Sequence, residues 1–227
     1  DIGGVKSLLA PRRLVLLVLT FLTAGVGRSA TAPKYPTIDE SIARGDIEDV
    51  RLHLSIEPAR AHQGKDAALT PLHQAILRNR TEIALLLLEK GADRDKPDRS
   101  QRTPLHLAVE RGNVAFVKTL LQRKAKPDER DKMGWTPLHH AAAKNRLDVA
   151  KALLKGGANP SSLSERGGTP LHEAAASGSA EMVQLFLDLK VDPGIVSKLG
   201  VTALDIAREF KNEAAIAVLA KVTPPKK

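Results

Sequence analysis

Cysteine is absent from the 227-residue chain. That excludes disulfides, thiolate metal sites, iron–sulfur clusters and a cysteine nucleophile, and it leaves the compartment open. Aromatic residues are scarce, with one Trp, one Tyr and four Phe. A core built on large rings is therefore excluded, and aliphatic and alanine packing has to replace it. The chain does not lack apolar or charged residues: 42% are hydrophobic and 27% charged. Global disorder is excluded on that composition. The formal charge is +9, which points to anionic partners or acidic protein surfaces and says nothing about fold.

The first thirty residues form a separate segment. Lys6, Arg12 and Arg13 are followed by an uncharged run of 14 residues, Leu14 to Gly27, that opens with the apolar stretch LVLLVLTFL. Small residues follow, from Ala24 to Ala32. A basic head, a short apolar stretch and a small-residue tail describe a secretory signal peptide, and the run is shorter than the ~20 residues of a spanning helix. Residues 1–29 are expected to be a cleaved leader, with an uncleaved membrane anchor as the alternative, followed by a linker over 30–35. The exported chain is then secreted or periplasmic, with no integral membrane domain. Loss of Lys6, Arg12, Arg13, Arg28 and Asp1 lowers the positive charge by three, so the basicity outlasts the leader.

A 33-residue period organises the rest. Thr70–Ala75 (TPLHQA) recurs at Thr103–Ala108, Thr136–Ala141 and Thr169–Ala174, and degenerates to TALDIA at Thr202–Ala207. Ile38–Val50 aligns as a first, degenerate copy, with one extra residue expected in the loop around Glu57–Lys65. Threonine is a good helix N-cap, and the proline after it forfeits only an N–H that would be orphaned anyway. Leu72, Ala75 and Ile76 then share one face of a short helix. Asn79, Gly112, Asn145 and Gly178 suit a left-handed helix end. A second helix is expected over Glu82–Leu88, Ala115–Leu121, Asp148–Leu154 and Glu181–Leu187. Gly91 and Gly157 sit at its C-terminus, and Pro127, Pro160 and Pro193 prevent its continuation.

In these motifs the chain resembles the ankyrin repeat family, whose 33-residue unit carries T-P-L-H-x-A. Four perfect hexapeptides in register, with Gly-Ala-Asp at 91–93 and Gly-Ala-Asn at 157–159, carry the resemblance over about four fifths of the chain. It implies an all-α repeat solenoid of about six helix–turn–helix units joined by β-hairpin-like loops. The units run approximately over 36–69, 70–102, 103–135, 136–168, 169–201 and 202–221, with a disordered tail over 222–227. Lys124 and Lys190 depart from the family by standing where it prefers glycine. Each is expected to weaken its unit, because a side chain at positive φ costs about 1 kcal/mol. The alanine-rich last copy reads as a soft cap.

The repeat histidines His73, His106, His139 and His172 are too far apart on stacked helices to share a metal. The resemblance makes them structural, bonding within and between loops. His140 lies outside that slot and is expected to be exposed on the concave face. No nucleophile elbow, phosphate loop or paired-carboxylate site emerges, and neither an enzyme activity nor a cofactor is expected. Asn79-Arg80-Thr81 matches a glycosylation sequon.

In the family, loop tips and the concave helix face bind other proteins. The positions that vary around each repeat threonine and each mid-repeat turn hold Arg99, Arg102, Arg111, Lys132, Met133, Trp135, Lys144 and Arg166 here. Trp and Arg dominate interface hot spots. These residues are the candidate partner site, centred on Trp135, and the expected partner of a monomeric chain is another protein with an acidic surface. The bland alternative is a Trp135 that packs along the neighbouring hairpin among solvated charges. Two other functions compete with protein binding. One is binding of an anionic polymer or membrane surface, although no nucleic-acid motif is present. The other is a regulatory subunit or fragment of a larger enzyme.

Overall fold

The computed structural model describes residues 32–62 and 69–222. The expected leader, the expected tail from residue 223 onward and part of the expected extra loop lie outside the described residues. Within them the chain forms twelve α-helices and one 3-10 turn (Pro58–Ala61). Each unit is a helix pair. The first helices are α1 (Ile38–Arg44), α3 (Pro71–Leu77), α5 (Pro104–Arg111), α7 (Pro137–Ala143), α9 (Pro170–Ser177) and α11 (Ala203–Glu209). The second helices are α2 (Ile47–Ile56), α4 (Thr81–Glu89), α6 (Val114–Gln122), α8 (Leu147–Lys155), α10 (Ala180–Asp188) and α12 (Glu213–Leu219). Each second helix of the four TPLH units runs one residue beyond its expected range at both ends.

The hexapeptide sets the start of the inner row. Thr70 accepts from the His73 amide and Pro71 opens α3. The Thr70 amide in turn donates to His73 Nδ1. Thr103, Thr136 and Thr169 pair with His106, His139 and His172 in the same reciprocal box. In the last unit Asp205 takes the histidine's place and accepts from the Thr202 amide at 2.9 Å. Aspartate closes the cap but has no ring nitrogen to offer a next unit.

The inner helices pack on one another in chain order from α1 to α11. In the outer row α2 packs on α4, α6 on α8 and α10 on α12. Leu72, Leu105, Leu138 and Leu171 are fully buried, as are Ala75, Ala108, Ala141 and Ala174. The small alanine one turn below each leucine lets neighbouring helices approach closely, which is how a core with so few rings closes. The first unit covers its open side differently. Asp49 accepts from Ser41 Oγ at 2.7 Å and from the Lys34 and Tyr35 amides. Burial alone would raise this carboxyl, but those donors hold it below its ordinary range.

Between units the chain makes tight turns, and no residue among those described forms a β-strand. Lys132 N donates to Ser100 O, Glu165 N to Met133 O and Lys198 N to Arg166 O. One backbone bond thus joins each of these four tips to the next, and the hairpin-like loops stop short of a sheet.

Helix ends follow the expected glycines and asparagines with one exception. Asn79, Gly112 and Asn145 have φ of 55°, 69° and 49°. Gly178 is instead extended, at φ −78°. Ser179 caps α10 through its side chain and its amide donates to Asn145 Oδ1, which pulls the chain straight. Glycine is needed there for closeness, since a Cβ would lie 2.5 Å from the Ala174 oxygen. Lys124 and Lys190 do adopt positive φ, 66° and 61°. No helix of the described residues is long and apolar enough to cross a membrane.

Candidate functional site

With each hairpin counted together with the helix pair that follows it, three residue positions meet on the inner side of each unit: the hairpin base, the residue before the threonine, and the free slot of the hexapeptide. In the third unit they are Asp98, Arg102 and Leu107; in the fourth, Asp131, Trp135 and His140; in the fifth, Ser164, Gly168 and Glu173.

In the third unit Arg102 pairs with Asp98 at 2.9 Å and with Glu110 at 3.1 Å. Its charge is neutralised by two carboxylates and is not available to a partner. In the fourth unit Trp135 stacks on His139 with ring centroids 6.1 Å apart and meets His140 edge-on at 5.0 Å. His140, expected to be exposed, is only 6% exposed. Its Nε2 lies 2.8 Å from Asp131 Oδ2, and Glu110 lies 3.8 Å from Nδ1. The hairpin returns Asp131 over the helix start, a contact nine residues long that the helical period does not reveal. Burial alone would raise the Asp131 carboxyl, and the hydrogen bond to His140 turns the shift downward.

The repeat histidines are structural. Nδ1 of His106 accepts from the Thr103 amide, so the neutral ring carries its proton on Nε2. That nitrogen donates to the Trp135 carbonyl at 3.1 Å, and His139 Nε2 donates to the Gly168 carbonyl at 3.2 Å. Burial pushes both rings down to about 4, from an ordinary 6.5. His73 and His172 are lowered for the same reason, but their Nε2 atoms make no hydrogen bond of standard geometry. Among the described residues no three His, Asp or Glu stand close enough to hold a metal ion.

The fifth unit is hollow. Gly168, Ser164 and Ala176 are small, and the space they leave is a groove of about 410 Å³ that runs to the sixth unit. Lys132, Met133, Trp135 and Arg166 line it, so the groove gathers four of the eight candidate residues. Arg99, Arg102, Arg111 and Lys144 lie outside it. Arg111 and Lys144 are exposed, Arg111 beside the turn at Asn79 and Asn113.

The other walls are Leu199, Val201, Ile206 and Phe210, with Glu173 among them. None of these five was a candidate in the sequence. The rule that named the variable positions, carried one unit further, reaches Leu199, Val201 and Phe210. Phe210 and Leu199 are 62% and 71% exposed, and Met133 is 52% exposed. A cluster of large apolar side chains facing water marks an interaction surface. Burial among them raises the Glu173 carboxyl to about 7, against a smaller opposing pull from Arg166.

A family model described as ankyrin repeats (3 copies) matches residues 40–131 and 99–164, and one described as ankyrin repeats (many copies) matches 153–207. The chain belongs to the ankyrin repeat family. No curated protein matches it. Ankyrin repeats indicate a protein–protein interaction module, and such scaffolds are typically non-catalytic. The groove of this ankyrin array lies between hairpin tips and inner helices.

Proposed function

We propose that this ankyrin protein is a non-catalytic binding module that grips another protein along the groove of its fourth to sixth repeats. The observation that carries the reading is the exposure of Met133, Leu199 and Phe210 around Trp135, with the cations of Lys132 and Arg166 at the rim. Apolar anchors inside a charged rim are the usual anatomy of a protein interface. The partner is a surface whose apolar residues enter the groove and whose acidic residues meet Lys132, Lys144, Arg111 and Arg166.

Affinity-captured partner is expected to dissociate as salt rises, since exposed charges are screened within about 8 Å at physiological ionic strength. Trp135→Ala and Phe210→Ala are expected to weaken capture at all salt concentrations, whereas Lys132→Glu with Arg166→Glu weakens it most at low salt. Equal capture by all these variants would place the site elsewhere.

Export is part of the same proposal and rests on the composition of residues 1–29. Sequencing the N-terminus of the cellular protein is expected to begin after the leader, and an intact segment would overturn export. A second reading, binding of an anionic polymer, is favoured by one feature: Lys118, Lys124 and Lys155 rim a separate hollow between α6 and α8. Charge reversal there is expected to abolish polyphosphate binding while leaving partner capture intact.

A further inference from the structure

The third and fourth repeats show what the concave position needs. In the third, a guanidinium fills the space and answers the carboxylates of Asp98 and Glu110. In the fourth, an indole fills it and covers His140. In the fifth the filling residue is Gly168, which brings no side chain, while the slot facing it holds Glu173. Among the described residues Glu173 makes no hydrogen bond and no ion pair, and the charge acting on it is the exposed Arg166. A second polar group lines the same hollow unanswered: Ser197, only 8% exposed, has no partner for its Oγ.

We infer that the hollow of the fifth repeat receives one arginine side chain of the partner polypeptide, flanked there by apolar residues. The inference rests on the protein-binding reading above and names the chemistry of its anchor. An apolar side chain in this place would bury a carboxylate and a hydroxyl without partners, which is costly. An acidic side chain would meet the Glu173 carboxylate. A guanidinium satisfies both groups. Its fork offers paired donors to Glu173 and a further donor to Ser197, and its flat face lies against the Trp135 indole. Val201, Ile206 and Phe210 then cover the aliphatic stem and the flanking residues. The acidic contacts of the partner belong further out, at Lys132 and Arg166.

The other titratable groups around Glu173 are accounted for. Lys132, Glu165 and Arg166 come from the hairpins and stay exposed at the rim. His172, on the same helix, is buried and lowered. His140, from α7, is tied to Asp131, and Asp205, from α11, to Thr202. Glu173 itself is half protonated near neutrality, so the arriving guanidinium displaces a proton and binds more tightly as pH rises through 7.

The test uses short blocked peptides in which two leucines flank a guest residue: arginine, its neutral isostere citrulline, norleucine or glutamate. The chain's only tryptophan, Trp135, lines the hollow, so its fluorescence reports occupancy. At pH 8 arginine is expected to bind about tenfold more tightly than citrulline, the gain of one desolvated ion pair. That preference narrows at pH 6 and vanishes in Glu173→Gln, which binds norleucine more tightly than the parent at pH 8 because no carboxylate is buried. Equal affinities, a preference for glutamate, an arginine preference that survives Glu173→Gln, or no fluorescence change with any peptide would each overturn the inference. A partner captured in a Trp135-dependent manner that lacks an arginine requirement would leave the binding reading standing and remove only this anchor.

Discussion

The third and fourth repeats on one side, and the fifth on the other, are built on the same helices and differ in what fills their concave face. Arg102 and Trp135 close the face with contacts from inside the chain. Gly168 leaves it open, and Glu173 stays unpaired in the gap. The same contrast reaches the histidines. His106 and His139 donate forward to the next unit with standard geometry, whereas the Nε2 of His172, like that of His73, makes no bond of that quality. A repeat array is a natural control experiment: with the scaffold held constant, the variable positions show which unit fills its own face and which one leaves it open.

Acid should separate the two regions most strongly. The folded protein holds His106 and His139 at about 4 against an ordinary 6.5, which corresponds to roughly 3 kcal/mol for each ring. The unfolded chain takes these protons first. Stability is therefore full above pH 6.5 and is lost as pH falls toward 4. Urea melts from pH 7 to 4 are expected to show this loss, and His106→Gln or His139→Gln to flatten it at a cost at neutral pH. A pH-independent midpoint over that range would break the comparison.

Arg102→Ala comes next. It strands Asp98, whose side chain is 4% exposed, beside Glu110. A loss of about 3 kcal/mol is expected in denaturant melts, partly recovered by the double variant Arg102→Ala with Asp98→Ala.

The fifth repeat should respond with the opposite sign. Its carboxyl ionises at about 7 when folded and near 4.5 otherwise, so this group lowers stability as pH rises from 4.5 through 7. Glu173→Gln is expected to add roughly 2 kcal/mol at pH 8, after allowance for its partial exposure, and nothing below pH 4.5. Gly168→Arg should do the same by supplying the missing guanidinium. The backbone permits it, since a Cβ there makes ordinary contacts of 3.5 Å with His172. The Gly168→Arg variant is also expected to lose the partner.

The smallest effect is at the backbone. Lys124→Gly and Lys190→Gly relieve positive φ values of 66° and 61°, for a gain of about 1 kcal/mol each in thermal melts.

The helices were legible because their boundary signals are local: a threonine that caps, a proline that starts, a glycine or asparagine that turns. That is why the second helices fall within one residue of expectation. Gly178 was misread because its conformation is decided by Ser179 and by Asn145 of the preceding unit. The burial of His140 was hidden because Asp131 reaches it through a hairpin. Glu173 occupies a free slot of the hexapeptide, where a carboxylate reads as solvated. Only the smallness of Gly168, Ser164 and Ala176 around it betrays the hollow, and that pattern spans two hairpins and a helix. Trp135 lines a groove with the exposed Met133, Leu199 and Phe210, while Arg102, which looks equally available in the sequence, is consumed inside the fold.

Among the described residues three amide–carbonyl links fasten the tips at Ser100, Met133, Arg166 and Lys198 in sequence, and the helices of each unit pack on those of its neighbours. Such a row has local joints only. Whole modules can be inserted or removed without redrawing the remainder, and strain applied at one end dissipates within a neighbour or two. The variable edge can therefore change its reach by duplication while its spacing stays fixed.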